Sequence, residues 1–174
     1  PNDVIRKIYS DYFLEYIKRK SGLTDEINQK DILKEILIEG KIDKLLDVLK
    51  EFLTNLSNRD YQRFDEKYVK VIFYSICRML KGLYVKSELE IGGQYADILL
   101  VPKTDIQNRY SILIEFKYIK QEDYDKDNNL LEDKQKQAKL QLETYKKSDE
   151  ITMLPKVKSY SIVVIKDKIF VKEI

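Results

Sequence analysis

The sequence predicts an α/β domain with a mixed central sheet flanked by helices and a small helical segment in front of it. Three observations carry that expectation. The apolar period switches from helical to alternating at Leu83. Gly92-Gly93 separates two alternating runs, which is a hairpin signal. A helix-like stretch rich in Lys and Gln, residues 130–147, separates the third strand from the fourth and is long enough for a crossover between parallel strands.

Residues 3–20 carry Val4, Ile5, Ile8, Tyr12 and Ile17 at helical spacing, with Asn2 or Asp3 as cap and Ser21-Gly22 as stop. A second helix starts at Thr24 or Asn28, presents Ile32, Leu33, Ile36 and Leu37, and breaks at Gly40. A third presents Leu45, Leu46, Leu49, Phe52, Leu53 and Leu56. Residues 1–57 therefore form a helical lead-in, either a connector to another domain or a cap packed on the rest, and residues 58–174 form the main domain. Ser57-Asn58-Arg59-Asp60 offers caps for a longer helix over residues 60–81, ended by Gly82 and with Tyr61, Phe64, Tyr68, Ile72 and Ile76 on its apolar face. Strands follow at 83–91, at 94–101 (stopped by Pro102) and at 110–118. Residues 120–129 are expected to be a charged, mobile loop, and strands four and five lie at 159–165 and 169–171.

Composition narrows the chemistry. Among 174 residues, 43% are hydrophobic, enough for a core, and Lys+Arg 32 nearly balances Asp+Glu 30, so no basic coat for nucleic acid covers the chain. There is no His, which removes Ser-His-Asp and Cys-His catalysis and imidazole zinc sites. The single cysteine, Cys77, allows no internal disulfide and no Cys-rich zinc site; in its apolar helical run it reads as a buried thiol. What remains is carboxylate, Lys, Tyr and a hard cation, Mg²⁺ or Mn²⁺. No apolar run reaches the roughly 18 residues that a membrane span needs, and Pro1-Asn2-Asp3-Val4 lacks the pattern of a signal peptide. A cytoplasmic setting is expected, and a chain that begins with Pro reads as a piece of a longer protein.

The chemistry-bearing residues sit on three consecutive elements. On strand three, alternation puts Ile112, Ile114 and Phe116 on one face and Leu113, Glu115 and Lys117 on the other. Strand two carries one acid, Asp97, in an apolar run, and a buried acid needs a partner. The crossover helix carries Gln141 and Tyr145 four residues apart, on one face. Each feature alone is weak; in this order they are specific.

Gln94-Tyr95-Ala96-Asp97-Ile98-Leu99-Leu100, Ile114-Glu115-Phe116-Lys117 and Gln141-Leu142-Glu143-Thr144-Tyr145 together resemble the PD-(D/E)XK nuclease superfamily, the last run resembling the Q-x-x-x-Y motif of its RecB-like branch. The resemblance implies a restriction-endonuclease-like αβββαβ core from about residue 60 to 174. More closely, the chain looks like the nuclease-like C-terminal domain that follows an AAA-ATPase-like domain in bacterial proteins, with Pro1–Arg6 resembling the stretch after the ATPase part and Glu66-Lys67-Tyr68 the acidic start of the first core helix. Two departures stand out. Ala96 precedes Asp97 where Pro is common, and Val69-Lys70 stands where relatives often carry a His.

The resemblance implies that Asp97 and Glu115, with the Phe116 carbonyl and Glu66, hold Mg²⁺ (or Mn²⁺). Lys117 then orients the attacking water or stabilises the transition state, and Gln141 and Tyr145 position Lys117, the water or the phosphate. Glu88 and Glu90 rank below Glu66, with at most one of them contributing. The implied substrate is DNA, cut with little sequence preference and contacted by Lys134, Lys139 and Lys146, although Glu132, Asp133 and Glu143 balance that helix. An AAA-ATPase-like domain is the implied partner, and an oligomer of identical chains is compatible with it. A module that binds DNA or the ATPase without turnover is the alternative.

Overall fold

The computed structural model describes residues 26–174, so the helix expected over 3–20 lies outside the described residues. Helix α1 (Glu26–Lys34) continues as a π-helical turn, Glu35–Glu39, and stops at Gly40 with φ 67°. A side chain at Gly40 would meet both the Lys158 side chain and the Tyr110 ring within 3 Å, so packing as well as backbone conformation asks for glycine there. Helix α2 (Asp43–Thr54) buries Leu45, Leu46, Leu49, Phe52 and Leu53. The π turn and its cap dock on the sheet side: Tyr110 donates its N–H to the Leu37 carbonyl and Tyr160 its hydroxyl to the Gly40 carbonyl.

The helix expected over 60–81 is broken. Asp60–Arg63 is a 3₁₀ turn, Phe64 and Asp65 are extended, and helix α3 spans Glu66–Met79. Asp65 caps it by accepting the Tyr68 N–H at 3.2 Å, so the cap lies beyond the Ser57–Asp60 run. Tyr61, Phe64 and Tyr68 keep helical spacing only in appearance. The extended Phe64 places its ring among Tyr61, Tyr68 and Tyr118, with centroids 5.3, 5.7 and 5.5 Å away.

Five strands follow: β1 (Leu83–Ile91), β2 (Gln94–Pro102), β3 (Ser111–Ile119), β4 (Val157–Ile165) and β5 (Lys168–Glu173). They lie in that order in one sheet; β3 and β4 are parallel and every other pair is antiparallel. Gly92 and Gly93, both at positive φ, close the β1–β2 hairpin. The crossover from β3 to β4 holds α4 (Gln121–Lys126), α5 (Leu130–Tyr145) and α6 (Asp149–Thr152), so the expected charged loop contains a short helix. This is an α/β architecture of the restriction-endonuclease-like kind, a mixed sheet with helices on both faces.

Helices α1–α3 cover one face, where Ile114, Phe116 and Ile162 meet Leu49, Phe73 and Ile76. Cys77 is buried in that core, which pushes its thiol pKa up. On the other face, Leu99 and Leu113 pack with Leu142, Tyr145 and Ile151. A separate small cluster gathers Ile119, Val163 and Ile165. The hairpin bends between these layers. Leu83 and Val85 face the first core, whereas Leu89 and Ile91, of the same parity, face the second. Between them Glu88 adopts φ 50°, and the β1–β2 pairing skips its partner position, Asp97.

Candidate active site

The bend at Glu88 sets up the site on the neighbouring strand. The β2–β3 ladder ends at Ile98–Ile114, so Asp97 and Glu115, next in register, are not ladder partners. Instead the Asp97 side chain reaches across: Oδ2 accepts the Phe116 N–H at 2.7 Å. A strand residue presents its N–H and C=O to the same edge, so the Phe116 carbonyl also lies on the Asp97 side. Asp97 is buried, at 6% exposure, and so is Glu115, at 2%.

Each acid has one lysine. Lys117 donates to Glu115 Oε1 at 2.8 Å. Lys70, on the first core helix, donates to Asp97 Oδ1 at 2.8 Å and lies 3.6 Å from Glu66 Oε1. Burial alone would lower the Lys70 pKa, but the hydrogen bond and charge of Asp97, with Glu66 and Glu115 behind, outweigh it and raise the ammonium above its ordinary value. Glu115 is driven the other way from a usual carboxylate. Burial and then the Asp97 charge push it up, to about 7, against the pull of Lys117. Its second oxygen, Oε2, is buried and has no hydrogen-bond partner among the described residues. Ser161, the residue beside Glu115 on β4, also has a buried hydroxyl without a partner among the described residues.

Tyr145 enters from α5, fully buried. Its hydroxyl donates to the Tyr95 carbonyl at 3.0 Å and sits 3.4 Å from the Gln141 amide nitrogen. Burial, and next the charges of Glu115 and Asp97, push its pKa up to about 12, so it stays a neutral donor. Of the expected targets of Gln141 and Tyr145 (Lys117, the water or the phosphate), Lys117 is not a hydrogen-bond partner of either. Tyr145 bonds the backbone two residues before Asp97, and Gln141 bonds Tyr145. The pair therefore clamps α5 to β2 two residues before Asp97.

Glu66 opens α3 and reaches the acids through Lys70. Among the described residues no three His, Cys, Asp or Glu side chains converge as a ready-made ion site. The donor set nonetheless fits a hard divalent cation. Glu115 Oε2 is a buried carboxyl oxygen without a hydrogen-bond partner among the described residues, Asp97 stands beside it, and the Phe116 carbonyl shares their side. Mg²⁺ is commonly held by one or two carboxylates with water completing its shell. Glu88 and Glu90 are solvent-exposed on β1.

The three lysines expected to follow a nucleic-acid backbone do not form one surface. Around the helix Lys139 and Lys146 fall within about 20° of each other, whereas Lys134 points about 120–140° away from them. Lys139 pairs with Glu143, and Lys146 bonds the Ile174 carbonyl. Lys134 alone reaches the site's surroundings, lining a cleft of about 390 Å³ with Asp65, Glu66, Tyr118 and Lys120.

Two site residues escaped sequence reasoning. Lys70 carried a signal, its i,i+4 spacing from Glu66. Ser161 carried a fainter one, a second serine after Ser159 in an otherwise apolar strand.

Taken together, the mixed five-stranded sheet, its parallel β3–β4 pair and the crossover helix between them define a restriction-endonuclease-like fold. The family comparison agrees: residues 64–174 match the model of the PD-(D/E)XK nuclease superfamily, and the chain belongs to that superfamily. No curated protein matches it. Among the described residues no helix is long and apolar enough to cross a membrane.

Proposed function

We propose that this chain is a metal-dependent nuclease module that hydrolyses phosphodiester bonds in DNA with little sequence preference. The observation that carries the reading is Glu115: a buried carboxylate with one oxygen on Lys117, the other without a partner among the described residues, and Asp97 at its side. A divalent ion such as Mg²⁺ or Mn²⁺, when bound there, supplies charge neutralisation for the phosphate and makes a water a better nucleophile. Asp97, Glu115 and the Phe116 carbonyl are its ligands in this reading, with Glu66 at the margin. Lys117, fixed by Glu115, offers its ammonium to the attacking water or to the charge that develops on the phosphate. Tyr145 and Gln141 hold β2 at the Tyr95 carbonyl so that Asp97 keeps its place, and Lys134 contacts the nucleic-acid strand near the cleft.

The same reading sets the context. Residues 1–57 lead in from an AAA-ATPase-like domain of a longer bacterial, cytoplasmic protein, and residues 58–174 carry the chemistry; Gln141 and Tyr145 stand for the RecB-like Q-x-x-x-Y pair. One observation favours a second reading, a nuclease-fold module that binds DNA or the ATPase without turnover: Lys70 already neutralises Asp97. Cleavage of single-stranded, duplex and branched DNA with Mg²⁺ or Mn²⁺ tests the choice. The nuclease reading expects cleavage that is lost in Lys117→Ala. No cleavage by the full-length protein, with unaltered DNA affinity in Asp97→Ala, supports the second.

A further inference from the structure

Lys70 stands where the acids call for a cation. Asp97 has one oxygen on the Phe116 N–H and the other on Lys70, both under 3 Å. Lys70 is also the i,i+4 neighbour of Glu66. Its side chain is 24% exposed, so it has a path to solvent while its stem stays on the helix. The charges make the point sharper. With Glu115 ionised, Asp97, Glu115 and Glu66 bring three negative charges and Lys70 and Lys117 two positive ones, leaving one negative charge over the group. A divalent ion entering beside a retained Lys70 meets two like charges; one entering as Lys70 withdraws to Glu66 meets only Lys117 and an Asp97 carboxylate that is no longer neutralised.

We propose that Lys70 is a tethered competitor for the cation of this site. Its ammonium neutralises Asp97 in the ion-free chain, and it gives up Asp97 Oδ1, keeping Glu66, when a divalent ion is held between Asp97 and Glu115. This rests on the reading that the site takes such an ion. It explains how a buried aspartate is tolerated without the ion, since an uncompensated buried charge is costly. It also makes ion affinity a property that one helix residue sets from outside the Asp97 and Glu115 pair.

Mn²⁺ titration calorimetry on the wild-type chain, Lys70→Gln and Lys70→Arg tests this, with thermal melting alongside. Lys70→Gln is expected to bind Mn²⁺ roughly tenfold tighter or more, because a like charge leaves the site. Lys70→Arg, which keeps the charge, is expected to stay near wild type. Without the ion Lys70→Gln melts lower than wild type, and saturating Mn²⁺ raises its midpoint by more. Equal or weaker Mn²⁺ binding in Lys70→Gln overturns the competitor role while leaving the ion site standing. No Mn²⁺ binding by either chain overturns both. Lys70→Met, which keeps the stem's packing, is the second variant. A variant that folds only with Mn²⁺ supports the proposal, and failure of both to fold in its presence contradicts it.

Discussion

On the α1–α3 side of the sheet, the inward residues of β3 are Ile112, Ile114 and Phe116, all fully buried against Phe73, Ile76 and their neighbours. On the α5 side the same strand presents Leu113, Glu115, Lys117 and Ile119, and the apolar packing is split into two clusters with the Glu-Lys pair between them. Ser159 and Ser161 continue that polar break on β4. One strand thus has an anchoring face and a chemical face. The difference teaches where each kind of damage lands. Stability is concentrated where packing is continuous, and the charges are placed where packing was given up.

The largest expected effect breaks the anchoring face. Phe73 meets Phe116 edge-on with ring centroids 5.0 Å apart, and Phe73→Ala is expected to cost about 3–5 kcal/mol in denaturant unfolding. On the chemical face, Asp97→Asn retains an oxygen acceptor for the Phe116 N–H, so the fold holds. Cleavage of a DNA substrate, however, is expected to fall by roughly a hundredfold or more, as when a key charge-stabilising group is removed. Had the two variants equal effects on stability, the division between faces would fail.

A third prediction concerns pH without divalent ions. The Glu115 pKa is raised in the folded chain, so between its ordinary value of 4.5 and about 7 the native state holds a proton that the unfolded chain has released. Stability contributed by that proton is fully present below about 4.5 and is lost as pH rises toward 7, at no more than about 1.4 kcal/mol per pH unit. Urea unfolding at pH 5 and pH 7.5 checks it, and Glu115→Gln is expected to flatten the slope. Smaller still, Tyr145→Phe leaves the Tyr95 carbonyl without its hydroxyl donor and is expected to cost about 1 kcal/mol, read as a lowered thermal midpoint. The smallest is Lys139→Ala. Its ion pair with Glu143 is exposed, so stability is expected to stay within about 0.5 kcal/mol and cleavage within about twofold, less than the loss in Lys134→Ala.

Much of the sheet was legible because it rests on local signals. Alternation from Leu83, the Gly92-Gly93 turn and the helical period over 130–147 placed β1, β2 and the crossover nearly to the residue. The break at Phe64-Asp65 was hidden because Tyr61, Phe64 and Tyr68 imitate a helical stripe, and only Tyr118, more than fifty residues away, decides where the Phe64 ring goes. Helix α4 was hidden by its charge, since nothing in Gln121–Lys126 is buried. At the site, Asp97, Glu115 and Lys117 were legible as types in an order. Which group holds which was not: the Asp97 bond to the Phe116 N–H follows from the ladder ending at Ile98, and the Lys70 bond from where α3 starts. The clamp made by Tyr145 likewise depends on the bend at Glu88, which no local pattern announced.

Mn²⁺ binding followed by electron paramagnetic resonance puts the account to the chemical face itself. One Mn²⁺ per chain is expected for the wild-type protein, with affinity falling at least about tenfold in both Asp97→Asn and Glu115→Gln, because each removes a charged ligand. Mn²⁺ bound equally well by both variants would contradict the assignment of the site to these two acids.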